Sequence, residues 1–302
     1  MDASPRPETP PEAVLRALAR GRADGRAFGP VLRSEAFGGA EGGPGGFEPR
    51  PLDRAFAAGG IPAEAFVLLS VAEAVGPLWE PLRRAVEGSG AGPRVVAAAP
   101  DGPGPVLLSD LGAFMSLPRT RVGVPADAAA AAAAVRAAAA ADDPVYLRVP
   151  GAAGAPVGAG SFEFARAPEL RGGADLTVIG VGPPIALALG LAERLHTVGI
   201  EVRVLDGASV KPLDTPSVLR AARETGAILT VEPHHALTGA GAAVAAVTAG
   251  SYPVPVRRIG LPDLPWDAGT PPGPERWAAY GISEARLDEE AFELLRARGK
   301  VQ

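Results

Sequence analysis

Cysteine is absent from the 302 residues, and histidine occurs only three times. The absence of cysteine excludes disulfides, thiol nucleophiles, iron–sulfur clusters and cysteine-ligated zinc. Basic side chains are not in excess either: 29 lysines and arginines stand against 34 aspartates and glutamates, for a net charge of −5. A chain of this charge is not expected to bind nucleic acid, because such binding depends on neutralising many phosphates.

Long apolar runs are also missing, since none approaches the ~20 residues of a membrane-spanning helix. Residues 1–14 have neither the basic start nor the apolar centre of a signal peptide. We therefore expect a cytoplasmic protein with no membrane partner. At ~150 residues per domain, a chain of this length predicts two domains.

The composition along the chain predicts where these domains begin and end. Residues 1–12 are expected to form a disordered tail, and residues 13–150 the first domain. A stretch rich in Gly, Ala and Pro at 151–174 reads as a linker, and the second domain follows at 175–302.

Apolar runs and helix signals alternate in both predicted domains. In the first, helices are predicted at 11–20, 61–75 and 126–141, and strands at 94–98, 120–124 and 145–149. In the second, strands and helices follow one another from residue 176 to the end. This alternation favours an α/β fold in which each domain is a mostly parallel sheet flanked by helices.

Two motifs of the second domain imitate ligand sites. Gly180-Val-Gly182 follows a strand and Asp206 ends the next one, as in a dinucleotide fingerprint, but the third glycine is missing and two prolines follow. The run from Glu232 to His235 contains adjacent histidines that tend to point apart, and nothing nearby completes a ligand set. We expect structural roles for both, and no metal ligands.

Five segments of the second domain together resemble the C-terminal domain of transketolases. They are Leu176-Thr-Val-Ile-Gly-Val-Gly182, Ser209-Val-Lys-Pro-Leu-Asp214, Glu224-Thr-Gly-Ala-Ile-Leu-Thr-Val-Glu232, Thr238-Gly-Ala-Gly-Ala-Ala-Val244 and Gly260-Leu-Pro-Asp263. The second and fifth favour transketolase over the related beta subunits of 2-oxo-acid dehydrogenases.

The first domain resembles the pyrimidine-binding domain of the same family. The matching segments are Gly60-Ile61, Trp79-Glu-Pro-Leu-Arg83, Asp101-Gly-Pro103, Val124-Pro-Ala-Asp127 and Pro144-Val-Tyr-Leu-Arg148. The resemblance implies a thiamin-diphosphate-binding fold followed by a transketolase C-terminal-like fold. It also implies a split transketolase, in which this chain is the C-terminal subunit, the N-terminal diphosphate-binding subunit is a separate partner, and two copies of each form a heterotetramer.

The resemblance further implies thiamine diphosphate, shared between the subunits, with the diphosphate and Mg²⁺ held by the partner and the pyrimidine ring by this chain. Ala63 occupies the position of the family's ring-activating glutamate, and Glu64 follows one residue later. Glu64 is therefore the candidate catalytic and cofactor-binding residue. Phe66 is a candidate apolar wall for the ring, although a core position is the alternative, and Asp101 is a candidate contact to a hydroxyl of the donor substrate.

Other family residues are absent from the first domain. No histidine occurs before His196, and Gly151 stands where the family has an arginine for the substrate phosphate. These departures favour an acceptor other than an ordinary sugar phosphate, such as a carrier-bound substrate. The predicted function is transfer of a two-carbon ketol unit. A non-catalytic scaffold or regulatory subunit is the main alternative, and a 2-oxo-acid dehydrogenase beta-type subunit is the other.

Overall fold

The structure is a computed structural model that describes residues 7–24, 29–37, 46–49, 51–52, 61–62, 64–88, 92–100, 105–152, 156–157, 160–264 and 274–300. The strands, in chain order, are β1 Val31–Arg33, β2 Phe66–Ser70, β3 Arg94–Ala98, β4 Arg121–Gly123, β5 Val145–Val149, β6 Glu169–Arg171, β7 Leu176–Gly180, β8 Val202–Asp206, β9 Ser209–Lys211, β10 Ile228–His235 and β11 Val256–Leu261.

These strands form two sheets. The first has the order β1-β2-β3-β5-β4-β9 and the second β11-β10-β7-β8-β6. All pairs are parallel except those made by the two edge strands β9 and β6. The predicted α/β fold with two mostly parallel sheets is confirmed. The stretch predicted as a linker contains β6, which pairs with β8 at the edge of the second sheet. Strand β9 belongs to the second half of the chain but pairs with β4 at the edge of the first sheet.

The helices lie between the strands. They are α1 Pro10–Ala23, α2 Val71–Val75, α3 Trp79–Gly88, α4 Asp110–Ser116, α5 Ala128–Ala139, α6 Ile185–His196, α7 Thr215–Thr225, α8 Ala240–Ser251, α9 Pro274–Ala279 and α10 Glu284–Ala297. No helix in the described ranges combines the length and the apolarity that a membrane span requires.

Local sequence explains several helix ends. Thr9 and Glu12 form a capping box that starts α1, so this helix begins inside the stretch predicted to be a disordered tail. The high helix propensity of alanine explains why 128–139 forms helix α5. Asp127 caps the start of this helix. Helix α7 is capped by Asp214 and ends at Gly226, whose φ of +67° suits glycine.

The helix predicted over 61–75 is wrong. Phe66–Ser70 is strand β2, and a helix begins only after Ser70, whose hydroxyl forms a capping box with Glu73. The first four strand residues are all buried, as in a central parallel strand covered on both faces. A short continuous apolar run of this kind does not distinguish a strand from a buried helix.

Helices cover both faces of each sheet. Phe66 and Leu68 of β2 pack on the side of α1 and α5, whereas the alternate residues Val67 and Leu69 belong to the cluster with α2, α3 and α4. In the second sheet, one cluster joins the strands to α6 and α10, and another joins them to α7 and α8. The cluster that contains Val67 continues without interruption into the second sheet, so the two sheets share part of one apolar core.

Candidate functional site

Ligands of open parallel sheets bind beyond the carboxyl ends of the strands, where the strand order reverses. In the first sheet this reversal lies between β3 and β5, because β4 is placed beyond β5. The chain leaves these two strands at Ala99-Pro100 and at Pro150-Gly151. Asp101 follows Pro100 directly, but Asp101 itself lies outside the described residues. The position of the predicted substrate-binding aspartate in the chain is therefore consistent with this edge.

In the second sheet the strand order reverses between β7 and β10. Residues of the first domain cover the carboxyl ends of these strands. Arg148 Nη2 donates to the carbonyl oxygen of Pro233 at 2.9 Å. A Cβ atom added to Gly182, whose φ is +61°, would stand 2.8 Å from Cγ1 of Val124. The motif that imitates a dinucleotide fingerprint is therefore a point of close approach between the two halves of the chain.

A buried polar network joins the halves at this place. Arg148 Nη1 donates to Asp110 Oδ1 at 2.9 Å, and the Tyr146 hydroxyl donates to Asp110 Oδ2 at 2.8 Å. Asp110 is fully buried and Arg148 is 2% exposed. Burial acts to raise the pKa of Asp110, but the charge of Arg148 and the hydrogen bonds from His234 and Tyr146 outweigh it, so this pKa lies below its ordinary value.

His234 is the contribution of the second domain to the network. Its Nδ1 lies 2.6 Å from the carbonyl oxygen of Leu107 and 3.5 Å from Asp110 Oδ1, and its Nε2 lies 3.1 Å from the Thr238 hydroxyl. A carbonyl oxygen only accepts, so Nδ1 carries the proton and Nε2 accepts from Thr238. Burial lowers the pKa of His234. The ring is therefore a neutral crosslink between the domains.

Glu232 fixes the start of α8. Its Oε2 accepts from the backbone N–H of Ala240 at 2.7 Å and its Oε1 from that of Gly241 at 2.8 Å. Burial raises the pKa of Glu232 to about 7, although these two N–H donors oppose the shift. A Cβ on Gly239 would stand 2.0 Å from Oε2, which explains the small residues of this motif. Glu232 and His234 thus have the structural roles predicted from the sequence.

The Ser209-to-Asp214 segment has a structural role as well. The Lys211 ammonium donates to the carbonyl oxygens of Met115 and Leu117 at 2.8 and 2.6 Å. Asp214 caps α7 and also accepts from the backbone N–H of Ala167. This segment therefore connects the end of α4 to the second sheet.

The residues predicted to contact the cofactor lie elsewhere. Glu64 is exposed and precedes β2 by two residues, at the amino edge of the first sheet. Phe66 is 1% exposed and packs into the core between the sheet and α1 and α5. The structure therefore does not bring Glu64 and Phe66 to the carboxyl edge that Asp101 follows. Ala63 lies outside the described residues.

Carboxylates that sequence reasoning missed lie near the carboxyl end of β1. Glu35 and Glu48 are both exposed, and Pro49 beside Glu48 forms a bridge with Arg33. Glu73, by contrast, is engaged: it accepts from the Ser34 hydroxyl at 2.5 Å and from the backbone N–H of Ser70 at 2.8 Å. No sequence periodicity marks Glu48, because it stands among glycines and prolines. Within the described ranges, no three acidic or histidine side chains are grouped to hold a metal ion.

These features define an α/β chain with the two-sheet architecture of the transketolases, and its recognisable motifs hold the two halves together. The sequence profile described as "Transketolase, C-terminal domain" matches residues 165–287. The second half of the chain is therefore a transketolase C-terminal domain, and the resemblance on which the predictions depend is confirmed.

Two relatives extend the match into the first domain. The chain is 36% identical over 192 residues to one subunit of the apulose-4-phosphate transketolase of Phocaeicola vulgatus, a match that covers 63% of this chain and 61% of that relative. It is 34% identical over 164 residues to the 6-deoxy-6-sulfo-D-fructose transketolase subunit SqwH of Clostridium sp., which covers 54% of this chain and 51% of that relative. The matches thus span little more than half the length of these relatives.

Solved structures match over more of the chain. A protein described as "Split gene transketolase, inactive beta4 tetramer" is 27% identical, with a TM-score of 0.83 over 95% of this chain and 98% of its own. A transketolase from Pichia stipitis shares the fold, with a TM-score of 0.61 at 18% identity over 78% of this chain and 35% of its own. The chain thus has the architecture of a split-transketolase subunit along nearly its whole length.

Proposed function

We propose that this chain is the C-terminal subunit of a thiamine-diphosphate-dependent transketolase that transfers a two-carbon ketol unit. A separate N-terminal subunit holds the diphosphate and Mg²⁺, in a heterotetramer of two copies of each. The observation that carries the proposal is the match along nearly the whole chain to a split-gene transketolase chain. The relatives named as transketolase subunits support it.

The proposal places the substrate at the carboxyl edge of the first sheet, between β3 and β5. The contact of Arg148 and His234 borders this crevice, because Arg148 is the last residue but one of β5 and the Leu107 partner of His234 follows β3. Asp101 follows β3 in the sequence and is proposed to contact a hydroxyl of the donor substrate. Gly151 at the same edge supplies no charge for a phosphate, which supports an acceptor other than an ordinary sugar phosphate.

Two of the proposed ring contacts do not fit a pyrimidine site. Phe66 is enclosed in the core, and Glu64 lies at the opposite edge of the sheet from Pro100. The cofactor, when bound, supplies the carbanion chemistry of ketol transfer. The acidic group that would orient its ring is better provided by Glu35 or Glu48, which are exposed at the carboxyl end of β1. We derive no catalytic step from Glu64.

A non-catalytic scaffold is the second candidate function. It is favoured by the placement of Glu64 and Phe66 and by the absence of histidine from residues 1–195. Such a subunit would bind and shape a catalytic partner through the same fold. The related split-gene chain is described as an inactive tetramer of one chain. Under either function, we expect this chain to be inactive by itself.

The experiment combines the chain with a diphosphate-binding subunit of the same source. Calorimetry measures thiamine diphosphate binding in the presence of Mg²⁺, and a ketol-transfer assay measures activity. Glu35→Gln, Glu48→Gln and Glu64→Gln are compared with Glu193→Gln, a control at an exposed glutamate of α6. We expect one of the first two variants to lose about 10²- to 10⁴-fold in activity, the usual contribution of a positioned acid or base.

The outcomes separate the two functions. Retained activity in Glu64→Gln and the control, with a loss in Glu35→Gln or Glu48→Gln, supports the catalytic subunit. A loss in Glu64→Gln alone would restore the ring-activating role predicted for it from the sequence. An active complex that all four variants leave unchanged would support the scaffold. Absence of both cofactor binding and transfer in the wild-type mixture would overturn the catalytic proposal.

A further inference from the structure

A groove runs between α1 and α5 on the outer face of the first sheet. It is an open groove of about 330 Å³, lined by residues of both helices and of their flanking segments, which include three arginines and the two carboxylates of Glu8 and Asp127. Arg16 and Arg20 belong to α1, and Arg136 belongs to α5. This volume lies at the lower end of the ~300–1,000 Å³ that small-molecule pockets occupy. Neither the ketol-transfer site nor the contact between the domains uses this groove.

The two helices run in the same direction. Helix α1 leads into the amino end of β1, and α5 leads into the amino end of β5, so both run antiparallel to the strands and parallel to each other. Arg20 and Arg136 each lie in the last turn of their helix. The parallel orientation therefore places both at the same end of the groove.

The described part of the chain leaves Arg20 and Arg136 without an ion-pair partner. Arg16 forms an ion pair with Glu8. No carboxylate or carbonyl among the described residues accepts from the guanidinium of Arg20 or of Arg136. Arg16 and Arg20 are also one helical turn apart, a spacing at which like charges repel. Although the chain has a net charge of −5, the end of the groove formed by Arg20 and Arg136 is positively charged.

The usual structural explanation for these arginines is that they cap the last carbonyls of their helices. The hydrogen bonds of the described residues do not show this, because neither guanidinium donates to a backbone carbonyl. Helical side chains tilt toward the amino end of their own helix. Arg20 and Arg136 therefore lean from the last turns over the groove, away from the carbonyls that end the helices.

The rest of the groove is apolar or already satisfied. Alanines of both helices, including Ala17, Ala129 and Ala132, form its floor. At the far end, the two carboxylate oxygens of Asp127 accept from the backbone N–H groups of Ala130 and Val157, each at 2.8 Å. The groove thus combines a methyl-lined floor with a cationic end.

We propose that this groove binds a small organic anion, with a phosphate or carboxylate group held by Arg20 and Arg136 and a carbon body lying on the alanine floor. Guanidinium groups bind such anions through paired, charge-assisted hydrogen bonds. The short alanine side chains leave the space that the carbon body requires. This site goes beyond the proposed function and does not depend on it.

Hexyl phosphate tests both halves of the proposal at once. Calorimetry on the purified chain compares it with inorganic phosphate and with hexanol, at physiological ionic strength so that loose attraction is screened. We expect saturable binding of hexyl phosphate, weaker binding of inorganic phosphate and the weakest of hexanol. The double variant Arg20→Gln/Arg136→Gln is expected to lose at least about tenfold in affinity, the equivalent of one charged hydrogen bond.

Two further variants control the result. Arg84→Gln removes an exposed arginine of α3, outside the groove, and is expected to bind as the wild type does. Ala132→Leu fills the floor, and is expected to weaken hexyl phosphate more than inorganic phosphate. Circular dichroism checks that each variant is folded, and Ala132→Leu serves as the test if the double variant is not.

Some outcomes would overturn the proposal. One is the lack of saturable binding of hexyl phosphate at millimolar concentration. Another is equal affinity in the wild type and the double variant. A double variant that loses its diphosphate-binding partner, while the wild type binds no hexyl phosphate, would make the groove a protein contact instead.

Discussion

The carboxyl edges of the two sheets differ in what covers them. At the reversal of strand order in the second sheet, Arg148 and Leu107 of the first half contact Pro233 and His234. In the first sheet, the same contact borders the crevice between β3 and β5, because Arg148 is the last residue but one of β5 and Leu107 lies in the connection from β3 to α4. The reversal in the second sheet is thus a domain contact, and the proposed substrate crevice of the first sheet lies beside that contact.

This difference explains where the family motifs are preserved. The motifs of the second domain fix the start of a helix, allow the two halves to approach closely and connect the two sheets. All three roles depend on packing geometry. Residues 1–195 contain no histidine, and the buried polar residues of the first domain, Asp110, Tyr146 and Arg148, belong to the contact between the halves. The comparison therefore predicts large stability effects at the closed edge and functional effects at the other.

The largest effect is expected from breaking the contact at the closed edge. Arg148→Met leaves Asp110 buried without its cation, which costs about 3–5 kcal/mol in the free energy of unfolding. Denaturation by urea measures the loss, and Arg84→Gln is the exposed control. Adding Asp110→Asn to Arg148→Met should recover part of the stability, because no buried charge then lacks a partner. An equally small loss in Arg148→Met and Arg84→Gln would show that the edge is not closed by this pair.

A pH-dependent effect is expected where the two edges meet. Burial, with a smaller contribution from the charge of Asp127, raises the pKa of Asp206 to about 6. Because the folded-state pKa is raised, the stability from this group is greatest below the ordinary value of 3.8 and falls until about pH 6. Asp206→Asn keeps an oxygen for the Ala208 N–H and removes that loss, so its advantage over the wild type should grow to about 3 kcal/mol at pH 8.

Urea denaturation between pH 3 and pH 8 measures the trend for Asp206→Asn and for its control. Asp175→Asn is the control of opposite sign, because the Glu201 N–H and Lys300 lower the pKa of Asp175. The wild type gains stability from Asp175 above its ordinary pKa and loses it as the pH falls. Parallel pH profiles for the two variants would contradict the assignment.

The smallest effect is expected at the joint between α4 and β9. Lys211→Met removes two hydrogen bonds from a charged donor to backbone carbonyls, and is expected to cost about 2 kcal/mol. Lys300→Met is the matched control, because its ion pair with Asp175 is exposed and such pairs contribute about 0–1 kcal/mol. If urea denaturation shows the same loss in the free energy of unfolding for both variants, the ammonium of Lys211 does not stabilise β9.

Much of the fold was predictable from local signals. The exact bounds of α7 follow from Asp214 and Gly226, and the alanine run predicts α5. Strand β2 was missed because its apolar run is continuous, and β9 because its three residues pair with a strand of the other domain. Pairing across such a distance leaves no periodicity in the sequence.

The candidate site was less predictable than the fold. The role predicted for Glu64 depends on an alignment through Gly60 and Ile61. The edge of the sheet at which Glu64 lies depends instead on where strand β2 begins. Once β2 is known to start at Phe66, Glu64 falls at the amino edge. Sequence reasoning identified Asp101 from the resemblance of Asp101-Gly-Pro103 to a family motif, and its contact to substrate stays a prediction.

Strand β9 also bears on how the molecule is made. During synthesis, the first sheet has five of its six strands once Val149 has emerged from the ribosome, but β4 keeps an open edge until Lys211 follows. Exposed strand edges recruit other chains. A fragment that stops near Pro150 should therefore precipitate where the full-length polypeptide stays dispersed, and nascent chains of intermediate length would be the ones that need a chaperone.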